Sequence, residues 1–354
     1  SMCVTDTPFF HRDGFHYEKG FDDFIYTRGN YDTMPDGIDV RRYRTLETDW
    51  PSPRTMFEAE RWLQRHYKEE VFLYADTWDP HEPWDAPNWY TELYDPEFDG
   101  STPYSAYGKY KDRNMTEEDV RKGYAAYCGQ VTMVDRWIGR LLDTVKVLGL
   151  MDNSIIIFTS DHGYYFGEHG HYGKSVMSGP AFQGTIPLPK ETPMSFQRSP
   201  LYQEVANIPL LIYTPKIKPR KTNALVSHVD IMPTLLDLLN IDVPSFVQGR
   251  SLVPILEGKD DKGKECVFTS WPLYNVGEYT RAVDHYERKI AEPLPATITT
   301  NDWQMIYSSE GEIAELYDLN NDPRQENDVF AKFPEKGQEL HEFYREFLSE
   351  VGTE

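Results

Sequence analysis

Residues 115–163, "MTEEDVRKGYAAYCGQVTMVDRWIGRLLDTVKVLGLMDNSIIIFTSDHG", set a capped helix, a strand and a reactive turn in direct succession. Thr116 followed three places on by Asp119 is a variant capping box, in which a hydroxyl and an acid each satisfy an orphan amide of the first turn. From there Val120, Tyr124, Tyr127, Val131, Val134, Ile138, Leu141, Val145 and Leu148 alternate steps of four and three, the spacing of one helical face. Gly149 supplies the stop. The run IIIF at 155–158 is too short for a helix and rich in β-branched residues, so it reads as a strand buried on both faces.

The same order recurs along the chain. The helical pattern "PRTMFEAERWLQRHYKEE" at 53–70 precedes the apolar "VFLYAD" at 71–76, and "IPLLIYTP" at 208–215 precedes "DIMPTLLDLLN", a helix for which Asp230 is the expected cap. Helix and strand in alternation predict an α/β fold with a mostly parallel central sheet flanked by helices. Past residue 260 the texture changes to short runs separated by turn residues, "CVFTSW", "ATITT", "WQMIYSS" and "AELYDL", before the helical "PEKGQELHEFYREFLSEV". These predict a smaller antiparallel sheet with a closing helix. The expected division is an α/β domain over 1–262 and an α+β subdomain over 263–354.

Composition narrows the function classes. A formal net charge of -22 would repel nucleic acid and anionic membranes. No apolar stretch approaches the eighteen or so residues a membrane helix needs. Cys3, Cys128 and Cys266 are odd in number and far apart, which gives neither a disulfide framework nor a CxxC metal pattern. Localisation stays open, as does oligomeric state.

In open parallel sheets, ligands bind beyond the carboxyl ends of the strands. Two predicted strands end in reactive residues: "VFLYAD" runs into "TWDPHEPW", and "IIIFTS" runs into Asp161-His162. Adjacent Asp161 and His162 in a turn can face one metal ion, or Asp161 can cap the turn while His162 packs. Lys174 closes a glycine-spaced loop (Gly163, Gly167, Gly170, Gly173), where a cation could neutralise an anionic substrate oxygen. His169 and His171 read as members of an exposed loop. His81, between prolines, suits a general acid or anion donor, or a ring stacked on Trp78 or Trp84.

The ordered series "DPHEPWDAP", "FTSDHGYYFGEHGHYGK", "LYQEVANIPLLIYTP", "SHVDIMPTLLDLLNI", "GRSLVPILEG" and "ELYDLNNDPRQENDV" resembles the sulfatase family of the alkaline phosphatase superfamily over nearly the whole chain. The resemblance implies an alkaline phosphatase-like fold. It implies that Asp161 and His162 are metal ligands, that Lys174 contacts the sulfate or phosphate group, and that His81 binds that group near its leaving oxygen. It further implies one divalent metal ion, calcium by family, with manganese, magnesium or zinc better suited to an imidazole ligand.

Two departures accompany it. The family's nucleophile, a formylglycine made from Cys or Ser in a Cys/Ser-x-Pro-x-Arg motif, has no match in residues 1–354, and Cys3 lacks the Pro and Arg. Its first Asp-Asp ligand pair is likewise unmatched, since Asp22-Asp23 falls after the place where it belongs. The expectation is a chain that begins inside the family fold and is active only with the nucleophile segment. Many sulfatases also carry Gly-Lys-Trp-His where this chain reads Thr5-Asp6-Thr7-Pro8, and related phosphonate and phosphodiester hydrolases use hydroxyls there, which makes Thr5 and Thr7 candidate substrate contacts.

The expected activity is metal-dependent hydrolysis of a small-molecule or saccharide sulfate ester. The alternatives are a phosphonate monoester or phosphodiester hydrolase of the same superfamily, or a non-catalytic relic or binding module. Neither nucleic acid nor membrane is an expected partner.

Overall fold

The computed structural model describes residues 1–8, 10, 16–27, 44–174, 176–178, 195–197, 201–270, 296–307 and 313–350. They fall into two compact units. One contains Ser1–Ser154 with Phe166–Gly173; the other contains Ile155–Tyr165 and the described residues from Lys174 onward.

The first unit is built on a parallel sheet of β1 (Met2–Thr5), β2 (Asp23–Tyr26) and β3 (Leu73–Asp76), in the order β2-β1-β3. The central strand is buried throughout, as befits a strand with neighbours on both sides. The register sets Thr5 opposite Asp76, which brings a hydroxyl and a carboxylate together at the carboxyl ends of both strands. Helix α1 (Pro51–His66) covers this sheet, and its Ala59 and Trp62 pack on Met2 and Val4. Pro51 and Pro53 sit in the first turn, where no intrahelical partner for their missing N–H is needed.

The long helix Glu117–Val147 starts on its predicted cap: Asp119 N donates to Thr116 Oγ1 at 3.1 Å, and Thr116 N donates to Asp119 Oδ2 at 2.8 Å. Its buried face is turned by about one residue from the predicted stripe. Val120 and Val134 are buried as expected, but so are Gly123, Ala126, Gln130, Met133 and Trp137, while Tyr124 and Val131 are exposed. The cause is close approach, which hydropathy cannot rank. A Cβ on Gly123 would lie 1.8 Å from the hydroxyl of buried Tyr172, so only glycine admits that ring against the helix.

In the second unit, Ile156–Thr159 pairs with Leu210–Tyr213 as an antiparallel ribbon, Leu210 opposite Thr159. This corrects two expectations: these strands are not parallel to one another, and neither is buried on both faces, since Phe158 and Leu211 are exposed. A β-branched run tells of strand but not of partner direction. Asp230 is also reassigned. Its side chain makes no cap for Ile231–Leu238; instead it accepts from Ser227 N and Arg250 N and pairs with Lys264 Nζ at 3.0 Å, fully buried.

The predicted small antiparallel sheet is present as Val267–Ser270, Ala296–Thr299, Trp303–Tyr307 and Ile313–Asp318, in chain order. Its Ala296, Ile298, Met305 and Leu316 form a core with Leu340, Tyr344 and Leu348 of the closing helix Pro334–Glu350, whose spacing by four places them on one face. Among the described residues, no helix is long and apolar enough to cross a membrane.

Candidate active site

The candidate residues divide between the units. Thr5, Thr7 and His81 belong to the first; Asp161, His162 and Lys174 belong to the second.

At the carboxyl end of the parallel sheet, Thr5 Oγ1 and Thr7 Oγ1 both donate to Asp76 Oδ2, at 2.6 and 2.5 Å. Thr5 Oγ1 also accepts from Thr7 N at 2.9 Å. Asp6 between them is fully buried and accepts from Thr77 Oγ1 at 2.8 Å, from Thr55 Oγ1 at 3.0 Å and from Trp78 N. The loop that follows carries His81, whose N–H donates to Trp78 O at 2.8 Å and whose ring lies 4.4 Å from the Trp78 ring. The packing reading of His81, a ring set against Trp78, is thus present in the structure. Its Nδ1 is 2.6 Å from Glu82 O, which can only accept, so that nitrogen carries a proton.

This corner is unusually acidic for a buried place. Burial, with Asp79 nearby, pushes the Asp6 carboxyl well above the usual carboxylate range, against the pull of its three donors. Burial, then Asp85, pushes Asp79 up to about 6. The thiol of Cys3 is pushed up to about 12, chiefly by burial and then by Asp76, which leaves it protonated and poorly nucleophilic.

In the second unit, strand Ile156–Thr159 delivers Asp161 and His162 into a turn open to solvent. His162 Nδ1 lies 2.9 Å from Gly163 O, which engages that nitrogen and makes Nε2 the one that could ligate a metal ion. Nε2 stands 3.2 Å from Asp161 Oδ2. Ligands bound to one ion at roughly 2.0–2.5 Å sit about 3 Å apart, so this pair has the chemistry and spacing of two ligands of a divalent cation. Among the described residues no group of three or more His, Cys, Asp or Glu side chains converges to hold a metal ion, so the pair would be part of a ligand set.

The turn is shaped by backbone contacts. Gly163 N donates to Val205 O at 3.0 Å, and a Cβ on Gly163 would fall 1.9 Å from Glu204 O. The short helix Gln203–Ala206 that supplies these carbonyls is tied to the C-terminal sheet region: Gln203 N donates to Gln325 Oε1 at 2.8 Å, and Tyr202 OH to Glu315 Oε2 at 2.7 Å. Lys174 is half-buried. His171 is buried within strand His171–Gly173 rather than in an exposed loop, and burial lowers its pKa to about 4, so it is neutral.

A protein-family model described as Sulfatase matches residues 5–241, more than half of the chain, and one described as N-sulphoglucosamine sulphohydrolase, C-terminal, matches residues 191–351. The chain belongs to the sulfatase family. It is similar to N-acetylglucosamine-6-O-sulfatase of Bacteroides thetaiotaomicron, at 32% identity over 225 residues, which are 62% of this chain and 34% of that protein. Similarity to Arylsulfatase K of Homo sapiens is 26% over 326 residues, 83% of this chain and 54% of that one. The chain spans about one third to one half of the length of the curated relatives it matches. Among solved structures, phosphonate monoester hydrolase of Agrobacterium radiobacter shares the fold at TM-score 0.62 and 21% identity, over 86% of this chain and 61% of that one. A protein in complex with its substrate D-glucosamine-2-N,6-O-disulfate does so at TM-score 0.61 and 21% identity, over 84% and 69%.

Sequence reasoning passed over Asp6, Asp76 and Asp79 as members of the strand-end corner. A signal existed, in that "VFLYAD" ends on its only acid at the carboxyl edge of a strand and "TDT" places an acid between two hydroxyls. Nothing local said that the two segments meet, because β1 and β3 are some seventy residues apart along the chain.

Proposed function

We propose that this chain carries the sulfate-binding and metal-holding part of an enzyme that hydrolyses a sulfate ester of a small molecule or saccharide. The observation that carries the reading is the convergence of His162 Nε2 and Asp161 Oδ2, 3.2 Å apart, in a turn held open by Gly163. The names of the relatives, a sulfatase of N-acetylglucosamine and a protein whose substrate is a glucosamine disulfate, support a sulfated sugar as the substrate class.

A divalent ion, calcium or a metal more tolerant of imidazole, would supply Lewis-acid polarisation of a sulfate oxygen. Asp161 and His162 would hold it. The Lys174 ammonium would offset charge developing on the sulfate oxygens in the transition state. His81, its Nδ1–H held by Glu82 O, would as the imidazolium donate its Nε2 proton to the leaving oxygen and be left as the neutral Nδ1–H ring. Residues 1–354 contain no Cys/Ser-x-Pro-x-Arg motif, so turnover is expected where a formylglycine-bearing segment joins these residues.

The test compares 4-nitrophenyl sulfate with a phenyl phosphonate monoester, using protein that includes that segment. Sulfate turnover is expected. Turnover of the phosphonate alone would replace this reading with the phosphonate hydrolase one, and no turnover of either, with intact metal binding, would leave a binding module. Lys174→Ala should lower kcat about a hundredfold while shifting Tm little. An unchanged kcat would make Lys174 a bystander.

A further inference from the structure

We infer that Asp6 is a positioning residue: with Thr5 and Thr7 it clamps residues 76–78 so as to fix the loop that presents His81. The hydrogen bonds run both ways across the sheet end. Thr5 and Thr7 donate to Asp76, and Asp6 accepts from the Thr77 hydroxyl and the Trp78 amide. A third donor to Asp6, Thr55 of α1, ties the same carboxylate to the helix covering the sheet. From Trp78 the connection to His81 is immediate: His81 N donates to Trp78 O, and the rings are in contact at 4.4 Å. The Thr77 hydroxyl also accepts from Asp79 N at 3.3 Å, so it braces the next residue of the loop as well.

A fully buried carboxylate beside a second buried acid is costly to keep, and an apolar residue of similar size would pack there without that cost. What an apolar residue cannot do is accept three hydrogen bonds from two different segments. The full burial of Asp6 and the commitment of both its oxygens to protein donors separate it from a substrate ligand. In place of the family's Lys and His in this segment, the chain has a device that acts on substrate only through His81. The clamp stands on the geometry by itself; its consequence for catalysis rests on the sulfatase reading.

The test uses the full chain with ring-13C-labelled histidine, the His81 Cε1–Hε1 signal being assigned by its loss in His81→Gln. In Asp6→Asn, the amide oxygen still accepts from Trp78 N and the amide NH2 can donate to the threonine hydroxyls, so the His81 signal should stay near its wild-type shift and width. In Asp6→Ala it should move and broaden. Thr77→Val, which removes one donor and leaves the carboxylate, should give an intermediate shift and provides the readout if Asp6→Ala does not fold. A wild-type His81 signal in Asp6→Ala, or in Thr77→Val where the alanine variant is unfolded, would overturn the proposal. Equal disturbance in Asp6→Asn and Asp6→Ala would also overturn it, because charge rather than hydrogen-bond geometry would then be what matters. In the sulfate ester assay, Asp6→Ala should lose up to about a hundredfold in kcat with KM little changed, the cost of a misplaced catalytic group. Absence of wild-type turnover would count against the sulfatase reading alone, since the His81 signal is read without turnover.

Discussion

The corner at the end of the parallel sheet and the Asp161-His162 turn hold their functional side chains by opposite means. In the corner, side chains do the holding: Asp6 is fully buried, Thr5 and Thr7 share one acceptor, and the bonds to Asp6 and Asp76 cross between distant segments. In the turn the backbone does it. His162 leans on the next carbonyl, Gly163 bonds to Val205 O, and Asp161 is left open to solvent. The difference fits the roles proposed for the two. A carboxylate that positions a loop has to be saturated by the protein, whereas one that binds a cation must keep its oxygens available.

The backbone-built turn should be the more brittle. Gly163→Ala would set a Cβ 1.9 Å from Glu204 O, and a carbonyl in a hydrogen-bonded helical turn cannot swing aside as a side-chain tip could. The turn has to shift, at a cost of about 1–3 kcal/mol for overpacking, and Asp161 and His162 move with it. Manganese binding, read by electron paramagnetic resonance, should weaken by about tenfold or more, and Tm should fall. A variant with unchanged binding and Tm would show that the close contact does not shape the pair.

Next in size is the pH response of the buried corner. Burial, then Asp85, raises the folded-state pKa of Asp79 to about 6 from an ordinary 3.8, so above pH 4 the unfolded chain gives up this proton more readily than the folded one. The folded state therefore binds more protons, and stability falls as pH rises from about 4 to about 6, then levels. Asp79→Asn keeps an acceptor for Ser52 N and removes the ionisation. Its advantage over wild type should be near zero at pH 4 and on the order of 2 kcal/mol at pH 7.5. Urea midpoints at the two pH values measure it, and a constant difference would mean that Asp79 does not titrate in this window.

The same contrast marks how far the sequence could be read. The Asp161-His162 pair was legible because the strand and the residues it runs into are contiguous: an apolar run, then Asp161, His162 and Gly163. The helix starting at Glu117 was legible at its cap, where Thr116 and Asp119 act on each other. Its buried face was not, because Gly123 is chosen for the space that Tyr172 needs, and Tyr172 is almost fifty residues away. Nor was the antiparallel pairing of Leu210–Tyr213 with Ile156–Thr159, since strand composition carries no direction. The Asp6 corner failed for the same reason. Its donors come from α1 and from beyond β3, and in sequence Thr5 and Thr7 look like hydroxyls available to substrate.

The smallest effects separate those two roles of the threonines. Thr7→Val removes one of two donors to Asp76 Oδ2 and leaves Thr5 in place, so the loss should be about 1.5 kcal/mol, the low end for one hydrogen bond to a charged acceptor. Thr5→Val should cost more, because Thr5 Oγ1 also accepts from Thr7 N, and that buried amide would lose its partner. The double variant leaves Asp76 Oδ2 without either hydroxyl and should cost more than the two losses added, since groups sharing one acceptor do not contribute independently. A double-mutant cycle on thermal or urea midpoints measures the coupling. If the threonines hold the loop, stability and the coupling energy change while KM for a sulfate ester stays close to wild type. If they touch substrate, Thr7→Val instead raises KM with Tm unchanged and the coupling vanishes, because Asp76 would then be only an incidental acceptor for hydroxyls directed at the ligand.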